Sequence, residues 1–72
     1  MKTFAERLKE LRKNRNLTQK QLAVEVELSE RGIQNYELGL REPPISIAIT
    51  LADYFDVSID YLVGRTEDPK RS

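Results

Sequence analysis

TQKQLAVEVELSERGIQNYELG, from Thr18 to Gly39, spells two short helices with an abrupt turn between them. Thr18 and Gln21 form a T-x-x-Q capping box: the Thr hydroxyl accepts from the third helical N–H, and the Gln side chain reaches back to the N–H of the cap residue. Leu17 and Leu22 stand at the two ends of a hydrophobic staple. The arrangement recurs with Ser29 as N-cap and Leu28 and Ile33 as the staple pair, so a second helix starts almost as soon as the first stops. Helices joined so tightly cannot lie antiparallel with long contact. They must cross, which leaves the second free to project outward.

The same signals repeat on either side. Thr3 and Glu6 make a further T-x-x-E box, and Phe4, Leu8 and Leu11 follow at helical spacing, which predicts helix 1 over 4–14. Asn16 is the residue expected to take a left-handed C-cap. Helix 2 is predicted over 19–26 with Leu22, Ala23 and Val26 facing inward. Helix 3 is predicted over 30–38, with Ile33 and Tyr36 inward and Gly39 stopping it. The prolines of LREPP, Leu40 to Pro44, fix an extended path into helix 4 over 45–55. At ~100° per residue, Ile45, Ala48, Ile49, Leu51, Ala52 and Phe55 share one broad face of helix 4, expected to be core, and Ile47 and Tyr54 fall opposite it. Asp56 ends helix 4. Val57 and Leu62 then staple a last helix over 58–63, closed by Gly64, and the polar RTEDPKRS of 65–72 is expected to fray. The fold class is all-α: one compact five-helix domain over 1–72, with its core over about 3–64 and a helix-turn-helix at 18–37.

Composition narrows the chemistry. The 72-residue chain has no cysteine and no histidine. Disulfides, thiolate or imidazole metal sites and Cys/His nucleophiles are excluded, and no cofactor or small-molecule ligand is expected. No apolar run approaches the ~20 residues of a membrane span, and the N-terminal stretch is charged and amphipathic, so the expected location is the cytoplasm. Net charge is zero but unevenly spread: residues 1–20 carry seven basic against two acidic side chains, and the remainder carries five basic against ten acidic. A domain that binds nucleic acid usually has a stronger basic excess, and most of these charges individually do no more than solvate helix faces.

The chain resembles the lambda-repressor/Cro, or Xre, family of helix-turn-helix regulators. The likeness rests on RLKELR at Arg7 to Arg12, LTQKQLA at Leu17 to Ala23, LS followed by I-x-x-YE-x-G within Leu28 to Gly39, the loop at Arg41 to Pro43, and LADYFDVSIDYLVG at Leu51 to Gly64. Together these cover nearly the whole chain. The resemblance implies a domain that binds operator DNA, commonly as a dimer, with helix 3 as recognition helix. Two residues depart from the pattern. Glu27 stands where the family's turn usually carries Gly, which predicts a non-Gly residue at positive φ. Gly32 lies inside helix 3, where it costs ~1 kcal/mol relative to Ala, either to let the backbone approach DNA or as a blemish that tertiary packing tolerates.

Carried over residue by residue, the resemblance places Ser29, Glu30, Arg31, Gln34 and Asn35 on the base-reading face. Arg suits guanine O6 and N7, Gln or Asn suits adenine, and Glu can accept from cytosine N4. Gln19, at the start of helix 2, together with Thr18 and Arg41, matches the positions that meet phosphates. Arg12 and Glu37 match a family salt bridge behind helix 3. Ile47, Tyr54 and Tyr61, near the helix 4 to helix 5 end, are the candidate contacts of a two-fold homodimer.

The expectation is therefore a sequence-specific transcriptional regulator, a bacterial or phage-type repressor that occupies a palindromic operator on double-stranded DNA. The alternative is an antitoxin-like or coactivator-like module of the same fold that acts through a protein partner, which the neutral charge favours. An enzyme is not expected, because the chain offers carboxylates but no nucleophile–base pair or metal ligand set.

Overall fold

The computed structural model describes residues 2–71; Met1 and Ser72, the outer ends of the expected 1–72 domain, lie outside the described residues. Five helices follow one another: α1 (Phe4–Asn14), α2 (Gln19–Glu25), α3 (Glu30–Glu37), α4 (Ile45–Phe55) and α5 (Ile59–Leu62). Both expected capping boxes form. Thr3 and Thr18 each accept from the backbone N–H three residues on, and Glu6 and Gln21 each accept from the N–H of the cap residue. Ser29 and Ser58 cap α3 and α5 through their hydroxyls. Val26, Leu38, Ser58 and Val63, expected as terminal helical residues, serve as caps instead.

Every helix ends in one way. The chain turns through a left-handed residue, Asn16, Glu27, Gly39, Asp56 or Gly64. The next N–H then reaches back five residues to a carbonyl of the last turn: Leu17 to Arg12, Leu28 to Ala23, Leu40 to Asn35, Val57 to Ala52 and Arg65 to Asp60. This double closure satisfies carbonyls that a helix end otherwise leaves orphaned, and it reverses the chain in the fewest residues. Glu27 holds φ 57° in that role, at the position where the family usually has Gly. It lacks the short side chain that eases Asn and Asp into this region, so its conformation costs roughly 1 kcal/mol, which the packing of α2 and α3 must offset.

Each helix contributes one fully buried aliphatic side chain to a common centre: Leu8, Leu22, Ile33, Leu51 and Leu62. Ala23, Val26, Tyr36, Ala52, Phe55 and Val57 complete the core around them. Phe4 meets the Tyr36 ring edge-on at 5.8 Å, which ties the start of α1 to α3.

Helix α4 departs from the expected facing. Ile45 is 67% exposed and Ile49 42% exposed, whereas Ile47 and Tyr54, placed by periodicity on the outer side, pack against the core. Apolar residues cover well over half the circumference of this helix, so period alone cannot say which arc faces in. Packing selects the arc centred near Leu51, rotated by about 60° from the expected one. Tyr54 is held there by an edge-on contact with Phe55 at 5.1 Å and by the Arg15 guanidinium over its ring.

The tail departs as well. Where 65–72 was expected to fray, the Pro69 carbonyl accepts from the Ser58 N–H at 3.1 Å, and Arg71 hydrogen-bonds to the end of α4. No helix among the described residues is long and apolar enough to cross a membrane.

Candidate nucleic-acid interface

Helix α3 has two unlike sides. Ile33 and Tyr36 point into the core. At ~100° per residue the opposite arc carries Glu30, Arg31, Gln34, Asn35 and Leu38. Glu30, Arg31 and Leu38 are exposed, and Gln34 and Asn35 are half-buried. Ser29, also exposed, accepts from the Gly32 N–H at 2.9 Å. A methyl group at Gly32 would lie 3.1 Å from that same hydroxyl oxygen, so the missing side chain relieves crowding of the cap. The outer arc thus offers two charges of opposite sign and two amides on a helix whose inner side is fixed.

What fixes it is a buried ion pair. The Arg12 Nε donates to Glu37 Oε2 at 2.6 Å, and its Nη2 donates to Oε1 at 2.9 Å, a two-pronged pairing between α1 and the end of α3. The third prong, Nη1, donates to the Leu17 carbonyl at 2.7 Å. The two side chains are only 10% and 3% exposed. Hydrogen bonding to Glu37 raises the Arg12 pKa and outweighs the opposing effect of burial, so Arg12 is charged throughout the working range of pH. A fork of this kind fixes direction as well as distance, because both donors must align with both oxygens.

Gln19 joins the same node. Its Nε2 donates to Glu37 Oε1 at 3.2 Å, so the first residue of α2 is tied to the last of α3. The resemblance had placed Gln19 with Thr18 and Arg41 as phosphate contacts. Thr18 is an exposed cap, and Arg41 is exposed in the loop between α3 and α4. Arg12, Glu37 and Gln19 are brought together; the base-facing residues share a surface of α3 without bonding to one another.

Three features of the surroundings escaped the reading from sequence. Arg7 is buried, with its guanidinium 3.8 Å from the centre of the Tyr61 ring. Its position is legible in hindsight, since Phe4, Arg7, Leu8 and Leu11 form an i, i+3, i+4, i+7 stripe. Arg71 and the exposed pair Leu38 and Leu40 carry no such periodic signal.

Two crossed helices, the second with a locked back and a polar, outward front, define the helix-turn-helix class of nucleic-acid-binding domain. A helix-turn-helix family model matches residues 8–62, and the chain belongs to the Cro/C1-type, Xre-like family of helix-turn-helix transcriptional regulators, which are not enzymes. The chain is 38% identical over 66 residues to the uncharacterized HTH-type transcriptional regulator YobD of Bacillus subtilis, an alignment that covers 92% of this chain and 59% of that one. It is 40% identical over 60 residues to the cryptic phage CTXphi transcriptional repressor RstR of Vibrio cholerae, covering 83% of this chain and 54% of the relative. The chain therefore spans little more than half the length of these curated relatives. Among solved structures, a transcriptional regulator from Listeria innocua superposes with a TM-score of 0.82 at 36% identity, over 97% of this chain and 65% of that one.

Proposed function

We propose that the chain is a cytoplasmic repressor that binds a palindromic operator as a homodimer, with α3 in the major groove of each half-site. The observation that carries the reading is the outward arc of Glu30, Arg31, Gln34 and Asn35 on a helix anchored from behind by the Arg12–Glu37 fork. A neutral net charge leaves little non-specific attraction to DNA, so base contacts must supply a large share of affinity. Ser29, Glu30, Arg31, Gln34 and Asn35 are assigned to bases, and Thr18, Gln19 and Arg41 to phosphates. For Gln19 the assignment leaves its second amide N–H for DNA, since the first is engaged by Glu37. Among the relatives RstR is a repressor and BcrR of Enterococcus faecalis an activator; the reading follows RstR, of which the chain covers 54% against 31% of BcrR.

The dimer surface is reassigned within the same end of the molecule. Ile47 and Tyr54 are half-buried against the core, while Ile45 is exposed and lines a cleft with Pro43, Ala48, Ile59 and Val63, and Ile49 is exposed one turn further on. Tyr61, half-buried under Arg7, borders this end.

Selection of bound sequences from a random duplex library tests the proposal: the expected product is an inverted repeat with half-site centres about one helical turn apart. On that operator, Arg31→Ala should cost ~1–3 kcal/mol and relax preference at one position per half-site. Arg41→Ala should instead weaken all sequences about equally and flatten the salt dependence. Enrichment of no sequence, or binding without a salt slope, would move the reading to a module that acts through a protein partner.

A further inference from the structure

Helix α5 is four residues long, too short to be stable by its own hydrogen bonds, yet Ile59 and Asp60 on it line the cleft assigned above to the dimer. Leu62 anchors it in the core. Ile59 and Tyr61 pack against that core, and further restraints come from the segment that follows. Gly64, at φ 84°, passes so close to the residues preceding α1 that a Cβ there would collide with the Lys2 carbonyl oxygen, a position open to glycine alone. Two side-chain turns then redirect the chain: the Thr66 hydroxyl accepts from the Asp68 N–H at 3.2 Å, and the Asp68 carboxylate accepts from the Lys70 N–H at 3.0 Å.

So steered, the tail reaches three helices. Glu67 comes within 3.8 Å of Arg7 Nη2 on α1, a guanidinium whose Nε and Nη2 are buried with no hydrogen-bond partner among the described residues. The Pro69 carbonyl accepts from the N–H of Ser58, the N-cap of α5. Arg71 Nη1 donates to the Ala52 and Val57 carbonyls at 3.0 and 3.1 Å, and its Nη2 donates to Asp53 Oδ1 at 2.6 Å. A cation at the carbonyl end of α4 is stabilised both by those oxygens and by the helix dipole. From Arg65 to Arg71 the segment has no large apolar side chain, so these polar contacts, rather than buried area, hold it.

We propose that residues 66–71 form a clasp, fastened by Arg71, that positions α5 so that its end can receive a second copy of the chain. The inference rests on the dimer reading for its last step only. The clasp itself is a local property that hydrogen exchange can see without DNA.

The test measures amide exchange in the full chain, with Arg71→Ala and Arg71→Lys beside the parent. The α5 amides of Leu62 and Val63 report the clasp, and those of Val26 and Ile33 report the global fold. Loss of a charge-assisted hydrogen bond predicts roughly tenfold faster exchange at Leu62 and Val63 in Arg71→Ala, with Val26 and Ile33 unchanged. Arg71→Lys, which keeps the charge without the fork, should recover part of the protection. Uniform acceleration at all four amides, or none, would overturn the clasp. Sedimentation on operator and on half-site duplexes then tests positioning. Arg71→Ala should weaken recruitment of the second copy while half-site binding is kept, and unchanged recruitment despite a loosened α5 would overturn the positioning role. If the parent itself stays monomeric on operator, the dimer reading fails, whatever the exchange pattern shows.

Discussion

Helix α1 carries two buried guanidiniums in opposite circumstances. Arg12 directs its nitrogens at Glu37 and the Leu17 carbonyl at 2.6 to 2.9 Å, a fully engaged fork. Arg7 is more buried still, at 2% exposure, yet its Nε and Nη2 have no hydrogen-bond partner among the described residues. Its flat face rests on Tyr61, and Glu67 stands 3.8 Å off. The first arrangement is directional, since a small rotation of α3 breaks two strong bonds at once. The second is not, because a cation over a ring loses little by sliding. The Arg12 side of α1 thus holds α3 by direction, whereas Arg7 adds little direction at the α5 end, where the bonds of Pro69 and Arg71 supply it instead.

The largest effect that could break this contrast is on stability. Glu37→Ala leaves Arg12 buried and uncompensated and should cost ~3–5 kcal/mol in urea unfolding. Arg12→Ala together with Glu37→Ala should cost less than Glu37→Ala alone, because no charge is then stranded. Losses within a few tenths of a kcal/mol for all three variants would place Arg12 among ordinary surface charges, which contribute at most ~1 kcal/mol per pair.

Next in size is Arg7. Its guanidinium is desolvated with little return, so Arg7→Met, which fills the same slot and keeps a contact with Tyr61, should unfold within ~1 kcal/mol of the parent or above it. Arg12→Met should lose several times as much, because Glu37 would be left buried without its partner. A severe loss in Arg7→Met would show that the Tyr61 stack and Glu67 hold Arg7 as firmly as Glu37 holds Arg12, and the distinction between the two ends would disappear.

Much of this was legible because the deciding signals are local. Thr3, Thr18, Ser29, Gly39 and Gly64 mark helix ends through their own chemistry, whereas the left-handed conformation of Glu27 was legible only from the family's turn. The Arg12–Glu37 contact was legible only through the family pattern, since nothing in the spacing of two residues 25 apart implies that they meet. Illegible features depended on competition among distant surfaces. On α4, too many apolar residues contended for one core, and the choice fell to Ile47 and Tyr54 over Ile45 and Ile49. The tail reads as polar and loose until the carbonyls at the end of α4 are in place to receive Arg71. Arg7 sat on the apolar stripe of α1 but was classed by its charge.

The smallest effect belongs to another charged residue of α1, Glu6, whose partner Thr3 lies within the same turn. Glu6 Oε1 accepts from the Thr3 N–H at 2.9 Å and from the Thr3 hydroxyl at 3.2 Å. The backbone bond, followed by the hydroxyl bond, holds the Glu6 carboxyl below its ordinary value of 4.5. The folded chain therefore releases this proton more readily than the unfolded chain does. The stabilisation from Glu6 is fully present above the unfolded value and is lost as pH falls through the lowered folded one. Glu6→Gln keeps an acceptor for the Thr3 N–H but cannot titrate, so the parent's advantage over this variant should be small at neutral pH and shrink toward zero in acid. Urea midpoints of the two proteins across the acid limb check this. Midpoints that stay parallel would mean that the box owes nothing to ionisation. An advantage at neutral pH as large as the loss in Glu37→Ala would mean that burial is not what separates the directional charges of this helix from the rest.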